Sequence, residues 1–154
     1  MKVEFRQMTQ AEADEIAQWR YEPPYSFYDA DADADDLRLL LDPGTRENRY
    51  FSALDASGAL VGFFEFEQRG EEVELGLGLR PDLTGRGLGV EFVVAGMDYA
   101  RERFRPATFT LAVATFNARA IRVYERAGFR PVREYDHETN GGVHRFLELA
   151  RPAG

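Results

Sequence analysis

The chain has 154 residues, 44% of them apolar and 13% aromatic, which is enough to bury one sizeable core and too apolar for intrinsic disorder. It contains no cysteine, which excludes disulfides, thiolate zinc sites and a cysteine nucleophile, and its formal charge of −8 opposes nucleic-acid backbones and anionic lipid surfaces. No apolar run approaches the ~20 residues that span a bilayer, and residues 1–10 carry no signal-peptide pattern. The expectation is one cytoplasmic domain over residues 1–154, a monomer or homodimer, with cationic partners and no nucleic acid, membrane or metal.

Residues 2–6 read as a short strand. Thr9 followed by Glu12 forms a capping box, whose hydroxyl and carboxylate can satisfy first-turn amides, and it predicts a helix over 10–20 that Glu22-Pro23-Pro24 stops. An aromatic-rich loop over 25–30 and an acidic stretch over 29–36 lead to a second helix over 34–41, with Leu37, Leu40 and Leu41 at helical spacing and Asp42-Pro43-Gly44 ending it. Strands follow over 49–54 and 60–68, joined by the turn residues Asp55-Ala56-Ser57-Gly58, and then over 72–79 after Arg69-Gly70-Glu71. In the last of these Val73, Leu75, Leu77 and Leu79 share one face. A helix over 88–104 buries a stripe of Phe92, Val93, Gly96, Met97, Ala100 and Phe104. A strand over 108–114, a helix over 118–127 ended by Gly128, and strands over 131–138 and 143–149 around Asn140-Gly141-Gly142 complete the chain. The order βααβββαβαββ predicts a mixed α/β fold: one central, mixed but largely antiparallel sheet flanked by about four helices.

Two segments carry chemistry. Thr84-Gly85-Arg86-Gly87-Leu88-Gly89 lies between a strand and an amphipathic helix. The first amides of a helix lack internal partners and sit at the positive end of its dipole, and glycines let a ligand approach the backbone, so the segment suits a phosphate or pyrophosphate. It is neither a P-loop nor the dinucleotide fingerprint, because no Lys-Ser/Thr follows and the glycine spacing differs. In the preceding strand, positions 72, 74, 76 and 78 read Glu, Glu, Gly, Gly, which leaves a bare face near the loop against which a ligand, or equally a packed neighbour, can lie. In the second segment Asn117 occupies a helix N-cap position, and Ala120, Ile121 and Tyr124 share one helix face.

Both segments resemble motifs of the GNAT N-acetyltransferase superfamily: its pyrophosphate loop, and its Asn-x-x-Ala-x-x-x-Tyr-x-x-x-Gly-Phe pattern, met at Asn117, Ala120, Tyr124, Gly128 and Phe129. The element order resembles that fold along essentially the whole chain. Thr84 departs from the family's usual Gln or Arg, which leaves the backbone cradle and removes that side chain's role. The resemblance implies acetyl transfer from acetyl-CoA to a primary amine by direct attack. The pyrophosphate would rest on Thr84, Gly85, Arg86, Gly87, Leu88, Gly89 and Val90. The pantetheine would run along Leu77, Gly78 and Leu79 in a gap where two strands splay apart. Asn117 would contact the pantetheine or cap its helix, and Tyr124 would act as general acid. Arg86 is a candidate phosphate contact, Arg122 a further one, and Arg119 reads better as a solvated helix arginine.

Glu74 is the first candidate for general base, sharing a face with the glycines, ahead of Glu65, Glu67, His137 and His144. Tyr25, Phe27 and Tyr28, beside carboxylates in the first interhelical connection, are candidates to border an amine acceptor, though the same aromatics suit a core cover. Three other readings stay open: a non-catalytic acyl-CoA-binding regulatory module, a different nucleotide-binding domain, and a structural partner-binding domain.

Overall fold

The computed structural model describes Met1–Gly154. Strand β1 (Glu4–Gln7) leads into α1 (Gln10–Ala17), whose capping box is formed on both sides by Thr9 and Glu12. The helix ends before the predicted residue 20. Gln18 and Trp19 close its last turn onto Glu15 and Ile16, and the Arg20 guanidinium donates to the carbonyls of Ala17 and Trp19. Two 3-10 turns, Tyr25–Tyr28 and Ala30–Ala32, shape the connection to α2 (Ala34–Leu41). A fifth helix, the single turn α3 (Pro43–Arg46), is missing from the sequence expectation. Asp42-Pro43 both ends α2 and starts α3, since the Asp42 carboxylate accepts from the Thr45 amide and Pro43 takes the first helical position.

The remaining elements are β2 (Tyr50–Leu54), β3 (Leu60–Arg69), β4 (Glu72–Leu79), α4 (Gly89–Phe104), β5 (Thr108–Ala114), α5 (Ala118–Arg126), β6 (Arg130–Thr139) and β7 (Gly142–Pro152). A 3-10 turn at Pro81–Leu83 precedes the glycine loop. Strand β7 outruns its predicted end at residue 149 because Pro152 still pairs with Thr108. The β6–β7 hairpin turns on Asn140 and Gly141, both at positive φ (54° and 75°), as an Asn-Gly turn requires.

The strands form one sheet in the order β1-β2-β3-β4-β5-β7-β6, antiparallel at every junction except β4–β5. One face packs against α4, where Phe64, Phe66, Val73, Leu75, Phe109 and Leu111 meet Phe92, Val93 and Met97. The opposite face packs against α1 and α2, with Ile16, Trp19 and Leu40 against Tyr50, Leu54 and Leu60. Close approach of α4 depends on two glycines. A Cβ on Gly96 would stand 2.1 Å from the Phe64 ring, and one on Gly62 2.6 Å from Phe92.

The parallel junction positions the site. Strands β4 and β5 pair only from Glu72 with Thr108 to Leu75 with Leu111. Beyond that point β4 continues along β3 as far as Leu79, and β5 continues along β7 as far as Ala114. The sheet therefore opens into a slot between Gly76–Leu79 and Ala112–Ala114, at the end nearest the glycine loop.

Candidate active site

Strand alternation sets which backbone groups face the slot. The Arg80 amide bonds Val61 across β3, so the amides and carbonyls of Gly78 and Gly76 also turn to β3, while those of Leu77 and Leu79 turn into the slot. On the far wall the Thr115 amide bonds Arg145 of β7, which turns the backbone of Ala112 and Ala114 into the slot. Unpaired strand edges of this kind recruit an extended ligand as an extra strand.

The glycine faces of β4 have another use. A Cβ on Gly78 would lie 2.6 Å from the Phe63 ring and 3.2 Å from the Tyr21 hydroxyl, and one on Gly76 would lie 3.3 Å from Glu65 Oε1. The bare face read in the sequence is thus filled by side chains of β3 and of the α1–α2 connection. The opening lies along the strand edge instead. Tyr21 reinforces the wall by donating to the Leu79 carbonyl at 2.7 Å, and burial, then Asp29 nearby, pushes its phenol well above the ordinary range. Tyr21 is a cleft residue that sequence reasoning passed over. Its one signal was a tyrosine just ahead of Glu22-Pro23-Pro24, in the connection between the first two helices.

At the wide end of the slot, Gly85 and Gly87 adopt φ of 72° and 76°, which favours glycine. Helix α4 begins at Gly89 with Leu88 as N-cap and no side-chain cap, so its first amides are free. Nothing lies within 4 Å of a Cβ placed on Gly87. Thr84 spends its hydroxyl on the Pro81 carbonyl at 2.7 Å, in keeping with a backbone cradle rather than a side-chain contact. Arg86 is exposed. Arg119 is not the solvated helix arginine expected. Its guanidinium stacks on the Tyr25 ring at 4.0 Å and points at the loop, with one nitrogen 3.6 Å from the Cβ position of Gly85. Tyr25 thus belongs to the loop side of the cleft. It joins Arg20, Tyr21, Pro81, Thr84 and Arg119 around a cavity of about 440 Å3.

The second motif meets the slot at the end of β5. Asn117 is buried and caps α5 through Oδ1, accepting the Ala120 amide at 3.1 Å. The Tyr28 hydroxyl accepts the slot-facing amide of Ala114 at 3.1 Å. The Tyr124 ring meets Phe129 edge-on at 6.3 Å, and no hydrogen bond from the chain holds its hydroxyl. Burial, with Tyr28 adding to it, pushes the Tyr124 phenol well above its ordinary value, so it stays protonated and suits a proton donor.

The acceptor-side residues divide. Tyr28 reaches the slot. Phe27 instead wedges the connection onto the hairpin, with its ring 4.9 Å from His144 and 5.5 Å from Phe116, and its carbonyl accepting from the Asn140 side chain at 2.7 Å. Glu74 pairs with Arg69 at 3.2 Å and sits opposite Thr110 in the closed part of the ladder, while Glu65 lies over Gly76 where the slot begins. Burial raises both carboxyls, against the pull of Arg69 on Glu74 and of Arg49 on Glu65. Cradle and slot define a cleft suited to an extended anionic donor.

Comparison with known proteins agrees with that class. A model of the acetyltransferase (GNAT) domain matches residues 2–130. The chain belongs to the GNAT acetyltransferase family. Its sequence is similar to mycothiol acetyltransferases: 39% identical over 79 residues to that of Clavibacter sepedonicus, covering 51% of this chain and 26% of the relative. The protein from Streptomyces coelicolor is 36% identical over 94 residues, covering 58% and 28%. The chain thus spans about a quarter of the length of these relatives. Among solved structures, the fold is similar to a chimera of the Vibrio cholerae spermidine N-acetyltransferase SpeG, with a TM-score of 0.81 at 20% identity over 99% of this chain and 96% of the other. It is also similar to the Vibrio cholerae enzyme in complex with CoA and spermine, with a TM-score of 0.74 at 21% identity over 98% and 95%.

The residues present fit acetyl-CoA, the acetyl donor of this family. Two positive-φ glycines leave the loop bare and the first amides of α4 are uncapped, as a diphosphate needs. Leu77 and Leu79 lie past the end of the β4–β5 ladder, so their slot-facing amides have no strand partner, as a pantetheine amide chain needs, while the Leu79 carbonyl is taken by Tyr21.

Proposed function

We propose that this chain transfers an acetyl group from acetyl-CoA to a primary amine by direct attack, with residues 1–154 acting as one domain. The observation that carries the reading is the end of the β4–β5 ladder at Leu75 and Leu111, which opens a slot with backbone donors on one wall and the Tyr28 phenol at its far end. Thr84 to Val90 hold the diphosphate on backbone amides, with Arg86 and Arg119 as its cationic neighbours. Leu77 and Leu79 line the pantetheine, with Gly78 between them turned to β3, and a slot-facing amide of Leu77 or Leu79 polarises the thioester carbonyl, where negative charge develops in the transition state. Tyr124 gives its proton to the departing thiolate. No protein nucleophile is required.

The acceptor is a small-molecule or peptide amine. Names of the relatives support a small amine, and the carboxylates of Glu65, Glu67 and Glu74 on the acceptor face favour one that carries positive charge. Thiol release followed with a colorimetric thiol reagent, over a panel of monoamines, polyamines and peptides, tests the reading. In this assay Tyr124→Phe lowers kcat by roughly 10–10³-fold and leaves CoA affinity unchanged. Wild-type turnover by that variant removes Tyr124 from the mechanism. CoA binding without thiol release on any amine favours the non-catalytic acyl-CoA-binding module.

A further inference from the structure

We infer that Glu65, rather than Glu74, is the general base that takes the acceptor's proton. The inference rests on the acetyl-transfer reading above and adds the residue that makes the amine a nucleophile. Three features of the sheet carry it. Gly76, the first β4 residue past the last β4–β5 pair, stands opposite Glu65 in the β3–β4 register. Because Gly76 has no side chain, the Glu65 carboxylate lies over it, with Oε1 3.3 Å and Cβ 3.4 Å from the point a Gly76 Cβ would take. The carboxylate is also held in one orientation: Arg49 engages Oε2 through Nε at 2.6 Å and through its terminal nitrogen at 2.5 Å, and leaves Oε1 facing the glycine.

Glu74 lacks these features. It lies inside the closed ladder, opposite Thr110 and Glu67, and Arg69 pairs with its Oε1 at 3.2 Å. The neighbours of Glu65 on the same face supply a wall. Phe63 covers Gly78, and Trp19 packs on Phe63 at 6.3 Å. The Glu65 side chain keeps 24% exposure, so an amine arriving on this face meets one oriented carboxylate at the apex of the slot, with the apolar rings toward the glycine loop.

The charged and titratable groups facing Glu65 come from four elements: Arg49 and Tyr50 at the start of β2, Glu67 on β3, Glu74 on β4 and Asp36 on α2. Burial foremost, with Glu67 and Asp36, raises the Glu65 carboxyl against Arg49, which moves it in the direction a base working near neutral pH needs. Over one turnover a primary ammonium gives up two protons. Glu65 takes the first, directly or through one water, and passes it to solvent, which frees the nitrogen lone pair to bond the acetyl carbonyl carbon as the C–S bond breaks. The second leaves nitrogen once the C–N bond has formed and replaces the proton that Tyr124 gives the thiolate.

The test is the pH–rate profile of thiol release from acetyl-CoA with the best amine of the panel, for wild type, Glu65→Gln and Glu74→Gln, alongside CoA affinity by calorimetry. Glu65→Gln is expected to lower kcat by roughly 10²–10⁴-fold and to flatten the acid limb, with CoA affinity unchanged. Glu65→Ala is expected to recover part of its rate in formate, because a small carboxylate fits the vacated space over Gly76. Glu65→Asp keeps the charge pair with Arg49 and serves if the other variants do not fold. It is expected to shift the midpoint of the acid limb. An acid limb kept by Glu65→Gln, unmoved in Glu65→Asp, or lost only in Glu74→Gln overturns the assignment. An active wild type with a fully active Glu65→Gln sinks the base and leaves acetyl transfer standing. A wild type that binds CoA and releases no thiol sinks both.

Discussion

On the donor side of the cleft the working groups are backbone amides: the loop from Thr84 to Gly89, the start of α4, and the edge of Leu77 and Leu79. On the acceptor side they are side chains gathered from separate elements: Glu65 from β3 with Arg49 ahead of β2, Tyr21 and Tyr28 from the α1–α2 connection, and Tyr124 from α5. The two sides fail in different ways. A backbone cradle is specified by local conformation, so one wrong residue in the loop removes it. A side-chain cleft is specified by strand register: one replaced side chain removes one chemical role, while the cleft itself is lost only where packing between strands shifts.

The sharpest attack on the donor side is Gly87→Val. At φ 76° a β-branched residue is strained, and the open space beyond Gly87 means the new side chain projects into the cradle instead of into the protein. CoA affinity is expected to fall by roughly 10²-fold, about 2.7 kcal/mol, by calorimetry, with the acceptor side untouched. Unchanged affinity would mean that the loop amides do not hold the diphosphate, and the contrast between the two sides would disappear.

The matching attack on the acceptor side is Gly78→Ala. Its Cβ would meet the Phe63 ring at 2.6 Å and the Tyr21 hydroxyl at 3.2 Å. Overpacking of this kind costs roughly 1–3 kcal/mol, read as a melting temperature lower by several degrees and as a loosened Tyr21–Leu79 bond. An unaltered melting temperature would mean that Phe63 gives way easily and that this face of β4 is free to receive a ligand.

The same division explains what the sequence disclosed. The glycine loop, the α5 motif, the hairpin turns and nearly every strand were legible, because each depends on residues adjacent in the chain. Glu65 was only one of several candidate carboxylates. Its orientation over Gly76 depends on a β3–β4 register that no local pattern prints, although the alternation Phe63, Glu65, Glu67 opposite a glycine-bearing strand is the signal that points to it. Arg119 read as solvated because nothing in α5 announces that Tyr25 will stack on it. The bare face at Gly76 and Gly78 was visible, but its occupants lie on β3 and in the connection. Helix α3 escaped because Asp42-Pro43 was read as a stop, and the same pair also serves as a start.

Glu12 joins the two kinds of specification and gives the smallest effect. Its capping bond is local, with Oε1 accepting the Thr9 amide at 3.0 Å, but it also anchors α1 to the sheet through Ser52 at 2.8 Å and through Arg6, bonded to Oε2 at 2.6 Å. Burial alone would raise this carboxyl; the bonds from Thr9, Arg6 and Ser52 outweigh it and hold it below its ordinary value of 4.5. A folded-state value below the unfolded one means that the unfolded chain binds the proton more readily. The stabilisation is therefore complete above the ordinary carboxylate range and is lost as pH falls through the folded value. Glu12→Gln keeps the capping geometry and removes only the charge. It is expected to cost about 1 kcal/mol in urea unfolding at neutral pH, with the gap to wild type closing as the medium is acidified past the folded value. A gap of constant size across that range would mean that the charge of Glu12, and with it the pair to Arg6, carries no energetic weight.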